Sequence, residues 1–141
     1  DTVLFPGLAE VLDWLDAQQL PWGIVTNKPA RFTGPVLEGL NLHQRVGPVI
    51  CPDHVKQRKP DPEGLLIAAH DDNVSPANCL YVGDHLRDIQ AGQNAGMETA
   101  VAAFGYIDAD DDPRGWQANY YLEQGSELLP LLQKLYEQKA H

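Results

Sequence analysis

The sequence predicts an α/β fold: a doubly wound, mainly parallel sheet with helices on both faces, built as a single domain over residues 1–141. Three observations predict it. Short apolar runs alternate with stretches of helical periodicity along the chain, which implies parallel strands joined by right-handed crossovers. Two of those runs end in polar or acidic residues, Ile24-Val25-Thr26-Asn27 and Leu80-Tyr81-Val82-Gly83-Asp84. Strands that close this way deliver side chains to the crevice at the carboxyl edge of an open sheet. A chain of 141 residues, 43% hydrophobic and 21% charged, suits one soluble domain with a real core.

The elements follow in order. Leu8, Val11, Leu12 and Leu15 fall at i, i+3, i+4 and i+7, an amphipathic helix that ends near Leu20 and is stopped by Pro21. Trp22 to Thr26 reads as a strand. Pro29 suits the first turn of a helix reaching Leu40, which Gly34 and Pro35 weaken. Val46 to Cys51 reads as a short strand interrupted by Gly47-Pro48. Asp61 caps a helix that Pro62 begins and that runs to His70. Cys79 to Val82 is a strand, Arg87 to Ala95 a helix punctuated by Gly92 and Gly96, and Thr99 to Phe104 a strand ended by Gly105. A mostly polar loop, with an acidic run at Asp108–Asp112, leads to a last strand at Tyr120–Leu122. Gly125 and Ser126 precede a final helix that turns Leu128, Leu129, Leu131, Leu132 and Leu135 inward.

Charge narrows the partners. Ten basic against 20 acidic residues give a formal net charge of −10. That argues against nucleic acid or an anionic membrane surface, both of which need a basic footprint. No apolar run is long enough to span a bilayer. Cys51 and Cys79 have no metal-ligand spacing and read as buried, reduced thiols, the usage expected of a cytoplasmic protein.

The chemistry-bearing residues stand in three groups. Gly83-Asp84-His85-Leu86-Arg87-Asp88 places two carboxylates four residues apart, one at the end of a strand and one at the start of a helix. Two such acids can hold Mg²⁺, a hard cation that takes oxygen ligands; equally, Asp84 reads as a cap and Asp88 as an acid near the positive end of the helix. Thr26 and Asn27 offer a hydroxyl and an amide, or serve only as a β-branched strand residue and an N-cap. Lys59 precedes the rigid Pro60-Asp61-Pro62 turn, and reads either as an aimed cation or as one member of a solvated basic patch with Lys56 and Arg58. His85 reads as a surface residue or as one that shapes the pocket, and Lys28 and Arg87 either as groups that steer anions or as exposed charge.

The order of these groups resembles the haloacid dehalogenase (HAD) superfamily of phosphotransferases. Ile24-Val25-Thr26-Asn27 looks like its second motif, Lys59-Pro60 its third and Gly83-Asp84-x-x-x-Asp88 its fourth. The wording of these stretches is similar to the phosphoglycolate phosphatase-like branch, and the resemblance runs from Phe5 to Leu132. It implies an Mg²⁺-dependent phosphatase of small phosphorylated metabolites, phosphoglycolate or a sugar phosphate, working through an aspartyl-phosphate intermediate. In that scheme Thr26 and Asn27 contact the phosphoryl group, and Lys59 balances its charge. Asp84 binds Mg²⁺ directly, and Asp88 binds it through water or holds Lys59. A dehalogenase acting on carbon–halogen bonds fits the wording less well.

The resemblance also exposes an absence. Family members carry a D-x-D-G-T motif whose first Asp is the nucleophile and whose second is the general acid/base, and no such motif occurs in these 141 residues. The chain is therefore expected to be the C-terminal part of a longer protein, without the nucleophile strand and the cap, and inactive alone. In this family the nucleophile strand is central, between the strands corresponding to Ile24-Val25 and Tyr81-Val82. Its absence is expected to leave backbone groups unpaired. The two edges would then close directly, pair with a segment of another chain and so favour self-association, or flank a strand supplied from outside this sequence. The competing expectation is a non-catalytic α/β module that binds a partner through its exposed sheet edge.

Overall fold

The computed structural model describes residues 7–25, 49–50, 59, 61–104 and 112–139, with the backbone alone at 24, 25, 49, 50 and 139. The expected helix from Pro29 to Leu40, most of the strand at Val46–Cys51, the acidic run before Asp112, and Thr26, Asn27, Lys28, Cys51, Lys56, Arg58 and Pro60 lie outside the described residues.

Among the described residues four α-helices and five strands follow in order: α1 (Leu8–Ala17), β1 (Ile24–Val25), β2 (Val49–Ile50), α2 (Glu63–Asp71), β3 (Leu80–Gly83), α3 (Leu86–Asn94), β4 (Glu98–Ala102), β5 (Tyr120–Leu122) and α4 (Leu128–Lys139). All strand pairs among the described residues are parallel. β1 pairs with β2, and β3–β4–β5 form a second sheet in which Tyr81 lies opposite Thr99 and Ala100 opposite Tyr120. Among the described residues no ladder joins β1 to β3. Residues 8–17 are helical and supply no strand between them.

Burial on both faces explains the apolar runs, as parallel sheets require. The period of two along each strand sorts the side chains. Leu80 and Val82 of β3, Ala100 of β4, and Tyr120 and Leu122 of β5 pack with Val11 of α1 and Leu128 of α4. The opposite face presents Tyr81, Val101 and Tyr121. There Tyr81 meets Leu65 of α2 and Ala91 and Ala95 of α3, while Val101 meets Ile89 of α3 and Trp116. Trp14 and Tyr136 meet edge to face, 5.7 Å between centroids, and tie α1 to α4.

Local signals set most boundaries. α2 starts at Glu63 with Pro62 in the N-cap position, one residue later than the sequence predicts, and Asp61 Oδ1, one residue farther out, accepts the Glu63 amide at 2.9 Å. α3 ends in a Schellman arrangement: Met97 N–H donates to Gly92 O at 2.9 Å and Gly96 N–H to Gln93 O at 3.1 Å. Gly96 takes φ +80°, a left-handed conformation that glycine adopts without strain. α1 is shorter than the pattern to Leu20 predicts, because the chain turns at Gln18–Gln19, with Gln19 at φ 57°. The expected polar loop before β5 holds a 3₁₀ turn, Pro113–Trp116, which seats Trp116 in the core. Among the described residues no helix is long and apolar enough to cross a membrane.

Candidate active site

β3 runs out at Gly83, and α3 starts three residues later. Asp84 and His85 bridge the two, and His85 takes an extended backbone as the residue before the helix. Asp88 is the third helical residue, where an acid can fold back onto the amides that a helix start leaves without intrahelical partners. Its Oδ2 accepts the N–H groups of both Asp84 and His85 at 3.2 Å. Its other oxygen, Oδ1, takes the Lys59 ammonium at 2.6 Å. Both side chains are nearly buried, 9% exposed for Lys59 and 7% for Asp88. A carboxylate so enclosed needs these partners, since a buried charge is retained only when paired and hydrogen-bonded.

Gly83 makes the arrangement possible. A Cβ at this position would lie 2.3 Å from Asp88 Cβ and 2.8 Å from Asp88 Oδ2. Only glycine lets the strand end come close enough for the carboxylate to reach back.

Lys59 has a second partner. Its Nζ donates to the hydroxyl oxygen of Tyr81 at 3.0 Å. Burial pushes the acidity of Tyr81 far above the ordinary tyrosine range, and the negative charges of Asp88 and Asp84 push the same way, with Arg87 opposing. The hydroxyl therefore stays protonated and neutral.

Asp84 is the more open acid, its side chain 27% exposed. Its Oδ1 lies 2.6 Å from His85 Nδ1, a separation that needs a proton on the nitrogen, so the imidazole donates and the carboxylate accepts. His85 Nδ1 is also 3.7 Å from Asp88 Oδ2. Asp84, His85 and Asp88 offer ligand atoms within 4.8 Å of one another. In this donor set Asp88 already serves two backbone amides and an ammonium, whereas Asp84 is partly open to solvent.

Of the residues that the sequence marks, the structure brings Lys59, Asp84 and Asp88 together at the carboxyl end of β3, and Thr26 and Asn27 fall outside the described residues. One neighbour was not marked as a site residue, and a second was left open. Tyr81 reads from periodicity as a buried strand residue, and its signal is a polar hydroxyl in an otherwise apolar strand, which must find a partner when buried. His85 reads as a surface side chain or as one that shapes the pocket; it is 42% exposed, and it is bonded to Asp84.

The model of the haloacid dehalogenase-like hydrolase family matches residues 1–102. The chain belongs to that family. Among HAD-like relatives, it is 47% identical over 125 residues to the N-acetylmuramic acid 6-phosphate phosphatase of Pseudomonas putida, covering 89% of this chain and 56% of that protein. It is 42% identical over 125 residues to the phosphoglycolate phosphatase of Xanthomonas campestris pv. campestris, covering 89% of this chain and 57% of that protein. The chain thus spans little more than half the length of these curated relatives. Solved HAD structures share the fold. A HAD family hydrolase from Deinococcus radiodurans R1, solved with bound phosphate and sodium, superposes with a TM-score of 0.83 at 24% identity, covering 93% of this chain and 59% of that one. CbbY from Rhodobacter sphaeroides, solved in complex with phosphate, gives 0.82 at 19% identity, covering 91% of this chain and 57% of that one.

Proposed function

We propose that the protein containing this chain is an Mg²⁺-dependent phosphatase of small phosphorylated metabolites, with phosphoglycolate or a sugar phosphate such as N-acetylmuramic acid 6-phosphate as substrate. The observation that carries this reading is the buried Lys59–Asp88 pair set against the more open Asp84 at the carboxyl end of β3. One cation is held in a fixed place for a phosphoryl dianion, and one carboxylate stands beside it for a divalent metal. The relatives at 47% and 42% identity carry phosphatase names that agree with it.

The roles follow from the chemistry. Phosphate esters have a high uncatalysed barrier, which is lowered by aligning the nucleophile and neutralising the phosphoryl oxygens. Lys59 supplies that charge, and Thr26 and the Asn27 backbone amide donate hydrogen bonds to the phosphoryl group. Asp84 holds Mg²⁺ directly, as an oxygen donor suited to a hard ion. Asp88 faces it at most through water, because its oxygens already serve Lys59 and the two amides. The bound ion supplies further positive charge at the phosphoryl oxygens. The nucleophile is an Asp of a D-x-D-G-T motif. Its carboxylate attacks phosphorus as the P–O ester bond breaks, and the motif's second Asp gives its proton to the leaving alkoxide. That Asp then takes a proton from the water that cleaves the acyl phosphate, which returns the carboxylate and inorganic phosphate. Because the motif does not occur in these 141 residues, this chain alone is inactive.

The test is phosphate release by the complete protein from phosphoglycolate, N-acetylmuramic acid 6-phosphate and a panel of sugar phosphates. At least one should be hydrolysed in Mg²⁺ and spared in EDTA, and Asp84→Asn should lower kcat/KM by about a hundredfold or more. The 141-residue chain should release nothing above background. No metal-dependent release by the complete protein from any substrate, or an Asp84→Asn variant as active as wild type, would sink the reading.

The topology supports a second proposal. β3 pairs on one side with β4, and among the described residues its other side has no ladder to β1. We propose that this side receives the nucleophile strand in the complete protein, and that in the chain alone it promotes self-association.

A further inference from the structure

We propose that Tyr81 is a positioning residue for the phosphate-site cation: its hydroxyl, together with the Asp88 carboxylate, sets the direction of the Lys59 ammonium. The inference rests on the phosphatase reading above and assigns a residue to it that periodicity marks only as core.

The geometry carries it. Lys59 Nζ is 2.6 Å from Asp88 Oδ1 and 3.0 Å from the Tyr81 hydroxyl oxygen. An ammonium group is tetrahedral, so fixing two N–H directions fixes the third. A lysine head group rides on a long, flexible stem, and the Tyr81 hydroxyl adds a second constraint to the one that Asp88 supplies.

The two anchors differ in charge, and the difference matters for a dianion. Asp88 is an anionic partner of Lys59; a carboxylate in place of the phenol would add more negative charge beside the phosphoryl group. A phenol accepts a hydrogen bond without adding negative charge, and Tyr81 is held in its neutral form by burial and by the acids around it. Tyr81 is also a firm reference point. It sits in β3 in register with Thr99 of β4, and its ring packs among Leu65, Ala91 and Ala95. Lys59 lies 22 residues earlier in the chain, beyond α2. The hydroxyl therefore ties a side chain from another segment to a strand held in the sheet ladder, as a preorganised site requires.

The test uses Tyr81→Phe, which removes one oxygen and keeps the packing, in the complete protein. Two readouts are taken. Proton exchange of the Lys59 ammonium with water, followed by nitrogen-15 NMR of labelled lysine side chains, should quicken about fivefold or more, with the other lysine signals unchanged. A purely structural role for the ring would not produce a change confined to Lys59. kcat/KM for the best phosphorylated substrate should fall about five- to tenfold, the loss expected for one hydrogen bond. Unchanged Lys59 exchange overturns the inference, and so does wild-type kcat/KM in the variant of an active enzyme, which leaves the phosphatase reading standing. If the wild-type protein hydrolyses no phosphate ester, that reading falls, and the exchange measurement alone decides whether Tyr81 directs Lys59.

Discussion

At Gly83 the deciding quantity is the space a methyl group would take, since a Cβ there would lie 2.3 Å from Asp88 Cβ. Gly83→Ala must push Asp88 away, and with it the two amide contacts and the Lys59 pair. The expected outcome is a loss of about 1–3 kcal/mol from overpacking, read as a lower urea midpoint, together with a larger fall in kcat/KM than in stability. A variant with the wild-type midpoint and wild-type activity would show that the strand end yields freely. At this scale Lys59, Asp84 and Asp88 were legible because their types and order along the chain are unusual in combination. The Lys59–Asp88 pair was legible too, as one of two roles for Asp88. Tyr81 was not legible as a site residue, and His85 was so only as one of two readings. Periodicity assigns a residue to a face, and it carries no information about which side chain 22 positions away reaches the same spot.

Among the elements, α2 shows how the helices hold the sheet that bears the site. Leu65, 1% exposed, fills the space between α2, Tyr81 and the α3 residues Ala91 and Ala95. Leu65→Ala leaves a cavity behind the Tyr81 ring and should cost about 2–5 kcal/mol, measured by urea unfolding with an unchanged m-value. A cost below about 1 kcal/mol would mean that the helix collapses onto the gap. Element type and order were legible for every described α-helix and for the described strands, because apolar runs of strand length and amphipathic stretches of helix length are distinct signals. Boundaries were less so. β4 starts at Glu98 and ends at Ala102, set by its register with β3 and β5 and not by the apolar run that continues to Phe104. The 3₁₀ turn at Pro113–Trp116 was hidden by its polar and acidic surroundings, although Pro113 at its first position was a usable sign.

For the molecule as a whole, the balance between −10 overall and one buried ammonium at the site defines the electrostatic problem. The long-range field repels an anionic substrate, so attraction must be local, from Lys59 and the metal that Asp84 would hold. The sheet poses the corresponding structural problem. If the far side of β3 is the seat of a strand from elsewhere in the complete protein, the 141-residue chain should form dimers or larger species by light scattering at tens of micromolar, whereas the complete protein stays monomeric. A strictly monomeric 141-residue chain would remove the self-association proposal. The missing D-x-D-G-T motif was legible as soon as the family was, and with it the gap between the strands at Ile24-Val25 and Tyr81-Val82; among the described residues the topology has no ladder between β1 and β3.

Asp88 joins two segments that are far apart in sequence, the turn that presents Asp84 and the one that presents Lys59. One consequence concerns inheritance more than chemistry. No change at 59, 83 or 88 is independent of the other two, because each alters the spacing that the remaining pair was built for. Substitutions tolerated in this corner should therefore arrive as coordinated sets, and a homologue that has lost Gly83 should show a compensating replacement at position 88.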